Sequence, residues 1–176
     1  MPKIIENARG MLLDEAKRQI EEYGYESVTI RSIAKGCSLG LGTFYNYFKS
    51  KDVLIATFLL EDWQERIARI SDKSKEESDP MVVVKCIHDE LRGFMTNNKG
   101  IFTSPEAIKS FNNSVVGYHK VLRSQIAEPI HLVCASNGYE DCDFLSQFVA
   151  EAILTWTVGN KSFDDLVPIL NKLFKK

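Results

Sequence analysis

Between Thr29 and Lys51 the chain reads TIRSIAKGCSLGLGTFYNYFKSK, and its polar side chains are of the kinds that meet phosphates and base edges. Four cations stand there, Arg31, Lys35, Lys49 and Lys51, with no carboxylate among them. The chain as a whole holds 22 cations against 24 carboxylates, so this stretch is locally positive inside a weakly acidic protein. That is what attraction to phosphate requires. Thr29, Thr43, Tyr45 and Tyr47 add hydroxyls suited to phosphate oxygens. Asn46 carries the donor–acceptor pair that recognises adenine, Thr43 can hydrogen-bond a base, and Leu41 offers only the apolar contact that suits a thymine methyl. Gly42 has no side chain, so the backbone there can come close to base edges.

Two short helices joined by a tight turn would position these groups. Thr29 is an N-cap, its hydroxyl able to accept from an amide of the first turn. Ile30, Ile33 and Ala34 recur at the spacing of one buried helical face. Lys35-Gly36 is expected to close that helix, glycine taking the left-handed cap conformation. Ser38-Leu39-Gly40 forms the turn, with Leu39 pinned between the helices. A second helix runs from about Leu41 to Phe48 with Phe44 and Phe48 facing inward, which leaves residues 41–43 and 45–47 outward. A helix-turn-helix places its second helix in the major groove of DNA.

The run GYESVTIRSIAKGCSLGLGTFYNYFKSKDVL resembles the DNA-binding domain of the TetR/AcrR transcriptional regulators, and the likeness covers about residues 5 to 60. Its densest part, GTFYNYFKSKDVL, is highly specific to that family. Leu41 stands where a polar or basic residue is common, and Tyr47 where a histidine is common. These departures leave the operator sequence open. The resemblance implies an all-α protein of about nine helices. Residues 1–50 would form the three-helix DNA-binding domain and residues 51–176 a helical effector-binding and dimerisation domain. It also implies a repressor acting on double-stranded DNA. Lys51 would add its charge to a helix N-terminus at a phosphate.

The rest of the chain fits that frame. At 176 residues it can bury a sizeable core. A hydrophobic content of 44% excludes a disordered chain. The apolar run Phe144 to Val158 is too short for a membrane span and includes Gln147 and Glu151. The N-terminus MPKIIENARG has no secretory character, so a cytoplasmic location is expected, with no membrane partner. A first helix over 3–23 carries Ile5, Ala8, Leu12, Ala16, Ile20 and Tyr23 inward and ends at Gly24. In the resembled fold the N-terminal end of this helix can approach a phosphate, which makes Lys3 and Arg9 candidate contacts, a solvated role being the favoured alternative. Ser50 caps a fourth helix to about Ile70, lined by Val53, Phe58, Leu59, Trp63, Ile67 and Ile70, with Arg66 on its solvated side. SDKSKEESDP, residues 71–80, is expected to be a polar linker. Further helices are expected over 80–96, from Ser104-Pro105-Glu106 to Phe111, over 114–135 with a kink at Pro129, over 141–158, and from Ser162 to Phe174.

Two sets of apolar residues invite function. Phe144, Phe148, Val149, Ala152, Ile153 and Trp156 on one helix, with Leu166, Ile169, Leu170 and Leu173 on the next, form either an intrachain core or a homodimer interface. The resemblance favours the interface, because TetR-like proteins dimerise through their last two long helices. Two-fold pairing also suits an operator whose half-sites lie about 34–36 Å apart. Trp63, Phe94, Met95, Phe102, Phe111 and Tyr118, with His88, Asn113 and His119 as orienting polar groups, are candidates for an effector pocket, plain core being the alternative. No cationic cluster marks a phosphorylated ligand, so a small, largely apolar or aromatic effector is expected. Catalysis is not expected. Cys86 and His88 point about 200° apart on a helix and cannot share a metal well. No phosphate loop or nucleophile elbow occurs, and no cofactor is called for. Two other classes stay open: a helix-turn-helix protein acting through protein contacts or DNA architecture, and a thiol sensor built on Cys134 and Cys142 around the SNGYED turn.

Overall fold

The computed structural model describes residues 7–175, and for residues 111–120 it describes the helical backbone only. Nine α-helices and two 3-10 turns are found among the described residues, and no strand. They are α1 (Ala8–Tyr23), α2 (Ile30–Gly36), α3 (Leu41–Tyr47), α4 (Lys51–Glu76), α5 (Pro80–Asn97), α6 (Lys99–Phe102), α7 (Pro105–Ser136), α8 (Cys142–Val158) and α9 (Val167–Leu173). The chain forms two compact units, one of residues 1–61 with 98–114, the other of residues 62–97 with 115–176. The expected cut after residue 50 follows the sequence motif. The compact units follow burial instead: Leu54, Ile55, Phe58, Ile101 and Ala107 all pack into the core of the first unit.

In the first unit α1 buries Leu12, Ala16 and Ile20 against Tyr25, Ile33 and Phe44. Gly24 stops α1 with φ of 78°, where a side chain would be strained, and its N–H donates to the Ile20 carbonyl at 3.0 Å. Tyr23, expected in the buried stripe, is exposed, because α1 ends there with nothing left to cover it. Ile5 and Lys3 lie outside the described residues. Glycine at 36 has a different reason from the one expected. The left-handed residue after α2 is Ser38 (φ 56°), not Gly36. A Cβ on Gly36 would fall 2.1 Å from Glu15 Oε1, so glycine is what lets α2 lie against that carboxylate. Buried Gln19 ties the same corner, donating to Glu15 at 2.7 Å and to the Ser32 carbonyl at 3.0 Å. Val53, expected inward, is exposed on α4.

In the second unit Trp63 and Ile70 of α4 join a core with Val83, Val84 and Ile87 of α5, Ile126 and Ile130 of α7, and Val149 and Ile153 of α8. The expected linker over 71–80 is mostly helix. α4 continues to Glu76, with Lys75–Asp72 and Lys73–Glu77 side-chain pairs at helical spacing along its last turns. Asp79 caps the start of α5, its carboxylate accepting from the Met81 N–H at 2.8 Å. Arg66, expected on a solvated side, is buried and bonds Asp62 and Glu90, each at 2.9 Å. Its space depends on Gly93, where a Cβ would lie 2.7 Å from the guanidinium. The two helices expected between 104 and 135 are one, α7, which runs through Pro129. The last helix begins at Val167, after a 3-10 turn, with Pro168 in its first turn.

Candidate nucleic-acid interface and effector region

The two-helix reader is built by reciprocal capping and two buried rings. Thr29 Oγ1 accepts from the Ser32 N–H, and Ser32 Oγ accepts from the Thr29 N–H, both at 3.0 Å. This fixes where α2 starts. Phe44 and Phe48 are buried with ring centroids 5.9 Å apart, and Leu39 is buried in the turn. Their burial turns the rest of α3 outward. Leu41, Tyr45 and Tyr47 are 38%, 56% and 46% exposed, Gly42 and Asn46 are exposed, and Thr43 is half-buried.

Gly42 is informative because the fold does not need it. A Cβ built there meets no atom within 4 Å, and its φ is negative. Arg31, Lys35 and Lys49 are exposed, and none forms an ion pair among the described residues. Thr29 keeps its hydroxyl proton available while its oxygen caps α2. Lys51 is different. Its ammonium donates to the Tyr25 carbonyl at 3.1 Å and sits 3.9 Å from the centre of the Tyr25 ring, whose hydroxyl donates to Asp52 at 2.6 Å. Burial, then the bond to Asp52, pushes the Tyr25 phenol far above its usual range. Lys51 is thus a brace within the unit. Arg9 is also engaged, paired with Glu61 at 2.5 Å and lying over the Phe48 ring.

The candidate effector residues divide. Trp63 and Phe94 meet edge to face at 5.4 Å, and Trp63 Nε1 donates to Gln125 at 2.8 Å. Met95 is half-buried on the same helix as Phe94. His88 is buried against Phe163, its ring 5.3 Å away, and its Nε2 has no hydrogen-bond partner among the described residues. Phe102 belongs to the first unit and is exposed. Phe111, Asn113, Tyr118 and His119 lie outside the residues whose side chains are described. A cleft of about 310 Å³, lined by residues of α4 and α7 that include Ile67, Gln125, Pro129 and Leu132, escaped the sequence reading. Its only sequence sign is Pro129, which cannot donate to the Gln125 carbonyl four residues earlier. The thiols are poorly suited to sensing. Burial pushes Cys134 up to about 11, and Cys142 donates to the Tyr139 carbonyl at 2.9 Å.

The interface candidates also divide. Val149, Ile153, Leu166 and Leu170 are buried in the chain's own core, while Phe144, Phe148 and Ile169 are exposed at 73%, 49% and 53%. Trp156, Ala152 and Leu173 are half-buried, and Trp156 Nε1 donates to the Ser162 carbonyl at 2.7 Å. α9 has seven residues, so the last two helices are not both long.

A capped α2, a tight turn and an α3 with an exposed polar-aromatic face define a helix-turn-helix protein. Residues 12–57 match the model of the bacterial regulatory proteins of the tetR family. It is 33% identical over 64 residues to the HTH-type transcriptional regulator UidR of Escherichia coli, a match covering 36% of this chain and 33% of that protein. The chain thus spans about a third of the length of that relative. It is 25% identical over 178 residues to the fatty acid metabolism regulator protein of Bacillus subtilis, covering 93% and 90% of the two chains. The solved structure of FadR from Bacillus subtilis in complex with stearoyl-CoA shares the fold, with a TM-score of 0.53, 20% identity, and coverage of 93% of this chain and 94% of that one. Among the described residues no helix is long and apolar enough to cross a membrane.

Proposed function

We propose that this chain is a sequence-specific DNA-binding transcriptional regulator, a repressor that leaves a two-fold operator when a small, largely apolar effector binds. The observation that carries this reading is the outer face of α3, where Gly42 meets nothing in the protein beside exposed Tyr45, Asn46 and Tyr47. Thr43 and Asn46 read base edges, Leu41 packs on a thymine methyl, and Tyr45, Tyr47, Thr29, Arg31 and Lys49 hold phosphates. The chain works in the cytoplasm as a homodimer, since one seven-residue helix reads too few bases for specificity.

An effector acts only if it binds the DNA-fitting and non-fitting states with different affinity. The Trp63–Phe94 neighbourhood is the apolar candidate for it. The stearoyl-CoA held by the related FadR supports an effector with a long apolar body. The test is footprinting on the DNA upstream of the chain's own gene, with binding measured across a salt series. A protected two-fold site is expected, with affinity falling steeply as salt rises. Thr43→Ala and Asn46→Ala should then change which bases are preferred. Weak binding that is indifferent to sequence would overturn the operator reading.

A further inference from the structure

We propose that the operator bases facing α3 are A·T pairs, with Asn46 on an adenine edge and Leu41 and Thr43 against thymine methyls, and that α3 reads no guanine. This rests on the reading that the chain is a sequence-specific DNA-binding regulator. Phe44 is fully buried and fixes which side of α3 faces inward. At about 100° per residue, Gly42 and Asn46 each lie about 160° around the helix from Phe44. They form its outermost line, and Gly42 adds no side chain there. Asn46 is therefore the side chain aimed most directly away from the core. A helical side chain covers the turn before its own Cα, which for Asn46 is the turn of Gly42. No atom lies within 4 Å of where a Gly42 Cβ would be, so that space is open to the Asn46 amide. The amide forms no hydrogen bond among the described residues, which leaves its donor and its acceptor both available.

What the face lacks selects among base pairs as much as what it holds. In the major groove guanine shows two acceptors, which an arginine or lysine meets with paired donors. Cytosine shows a donor, which a carboxylate accepts. Residues 41–47 include no arginine, lysine, histidine, aspartate or glutamate. Adenine shows an acceptor beside a donor, the complement of an asparagine amide, and thymine shows a methyl. Leu41, 38% exposed, and half-buried Thr43 flank the Asn46 line and carry methyl groups. A tyrosine hydroxyl has one proton to give and cannot meet both guanine acceptors. Tyr45 is moreover held edge-on against Phe44 at 5.7 Å. The exposed cations of the reader stand off α3. Arg31 and Lys35 are on α2, the helix that crosses the DNA backbone, and Lys49 lies beyond the end of α3. Attraction to any DNA thus comes from outside α3, and the choice among sequences from its uncharged face.

The experiment selects duplexes from a random-sequence library with the purified full chain, as wild type and as Leu41→Ala, Thr43→Ala and Asn46→Ala. The positions facing α3 are those whose base preference changes in any of the three variants, and they are expected to be A·T pairs. Any guanine in the selected sequence should keep its preference in all three. Binding is then measured on the selected duplex with one base altered at a time. Uracil in place of thymine removes only the methyl, and at a contacted position it should weaken wild-type binding roughly fourfold. The variant that has lost the contacting side chain, Leu41→Ala or Thr43→Ala, should no longer respond. Deazaadenine, which lacks the N7 acceptor, should weaken the wild type roughly fivefold and leave Asn46→Ala indifferent. The analogues alter the DNA, so the wild-type losses stand whether or not a variant folds. G·C pairs at the α3-dependent positions, or wild-type binding unchanged by both analogues, would overturn the inference and keep the operator reading. A selected sequence that no α3 variant alters would do the same. No selected sequence at all would sink the operator reading and this inference with it.

Discussion

Two helices, α3 and α8, each expose a pair of aromatic rings, and the pairs differ in what they can satisfy. On α3 they are Tyr45 and Tyr47, each ending in a hydroxyl and standing beside Asn46 and Gly42. On α8 they are Phe144 and Phe148, with no polar end, stacked on one another. A tyrosine left in water keeps a group that can bind a phosphate oxygen later. A phenylalanine left in water has only area to bury. Exposure alone would class the two faces together. On the proposed function, the polar tips, and a glycine whose Cβ would meet no atom within 4 Å, mark the α3 face as the one for DNA and leave the α8 face as a purely apolar one.

The sharpest way to break this distinction is to contrast Phe44 with its neighbour Tyr45. Phe44 is fully buried beneath the reader, and Tyr45 lies against its edge at 5.7 Å with its other side in water. Phe44→Ala should destabilise the first unit by about 3–5 kcal/mol, read as a large loss of thermal stability. Tyr45→Ala should change stability by roughly 0.5 kcal/mol or less and act on DNA affinity instead. Equal losses of stability would mean that the outer face of α3 is core.

A smaller effect follows from the corner where α1 meets α2. The Glu15 carboxyl is held down at about 2, first by its hydrogen bond from Arg18 and then by that from Gln19, against an ordinary value of 4.5. A depressed carboxyl stabilises the folded state above its unfolded value, and that stability is lost as pH falls through the folded one. The wild type should therefore lose thermal stability progressively between about pH 4.5 and pH 2. Glu15→Gln removes that titration, so its melting temperature should fall less steeply over the same range. Parallel profiles would show that the carboxylate contributes nothing through this pairing.

Where the sequence was legible, local chemistry and helical period agreed. Thr29 reads as a cap because its hydroxyl can accept from an amide of the first turn, and Phe44 and Phe48 read as core from their four-residue spacing. The misreadings came where distant residues decide. Gly36 is glycine because Glu15, on another helix, comes close to it. Arg66 is buried because Glu90, 24 residues later, supplies its partner and Gly93 its space. The polar stretch after Ile70 reads as a linker, yet charges at helical spacing hold it in α4. The short α9 could not be foreseen from its apolar residues, since Leu166 and Leu170 would look the same facing a partner chain or their own core. The cleft beside Pro129 depends on how two helices lie together, which no spacing within either one records.

The smallest effect divides two lysines that look interchangeable in the sequence. Lys49 is exposed and makes no ion pair among the described residues, whereas Lys51 is held by the carbonyl and ring of Tyr25. A lysine that neutralises a phosphate on binding contributes about 0.9 to the slope of log affinity against log salt. Lys49→Ala should therefore weaken binding to operator and unrelated DNA alike, and flatten the slope by about that amount. In Lys51→Met the alkyl chain can still cover Tyr25, but the carbonyl loses its donor. The expected result is a lower melting temperature with the salt slope unchanged. If Lys51→Met flattens the slope as Lys49→Ala does, the ammonium leaves Tyr25 when DNA arrives. The positive edge of the reader would then extend into the first turn of α4.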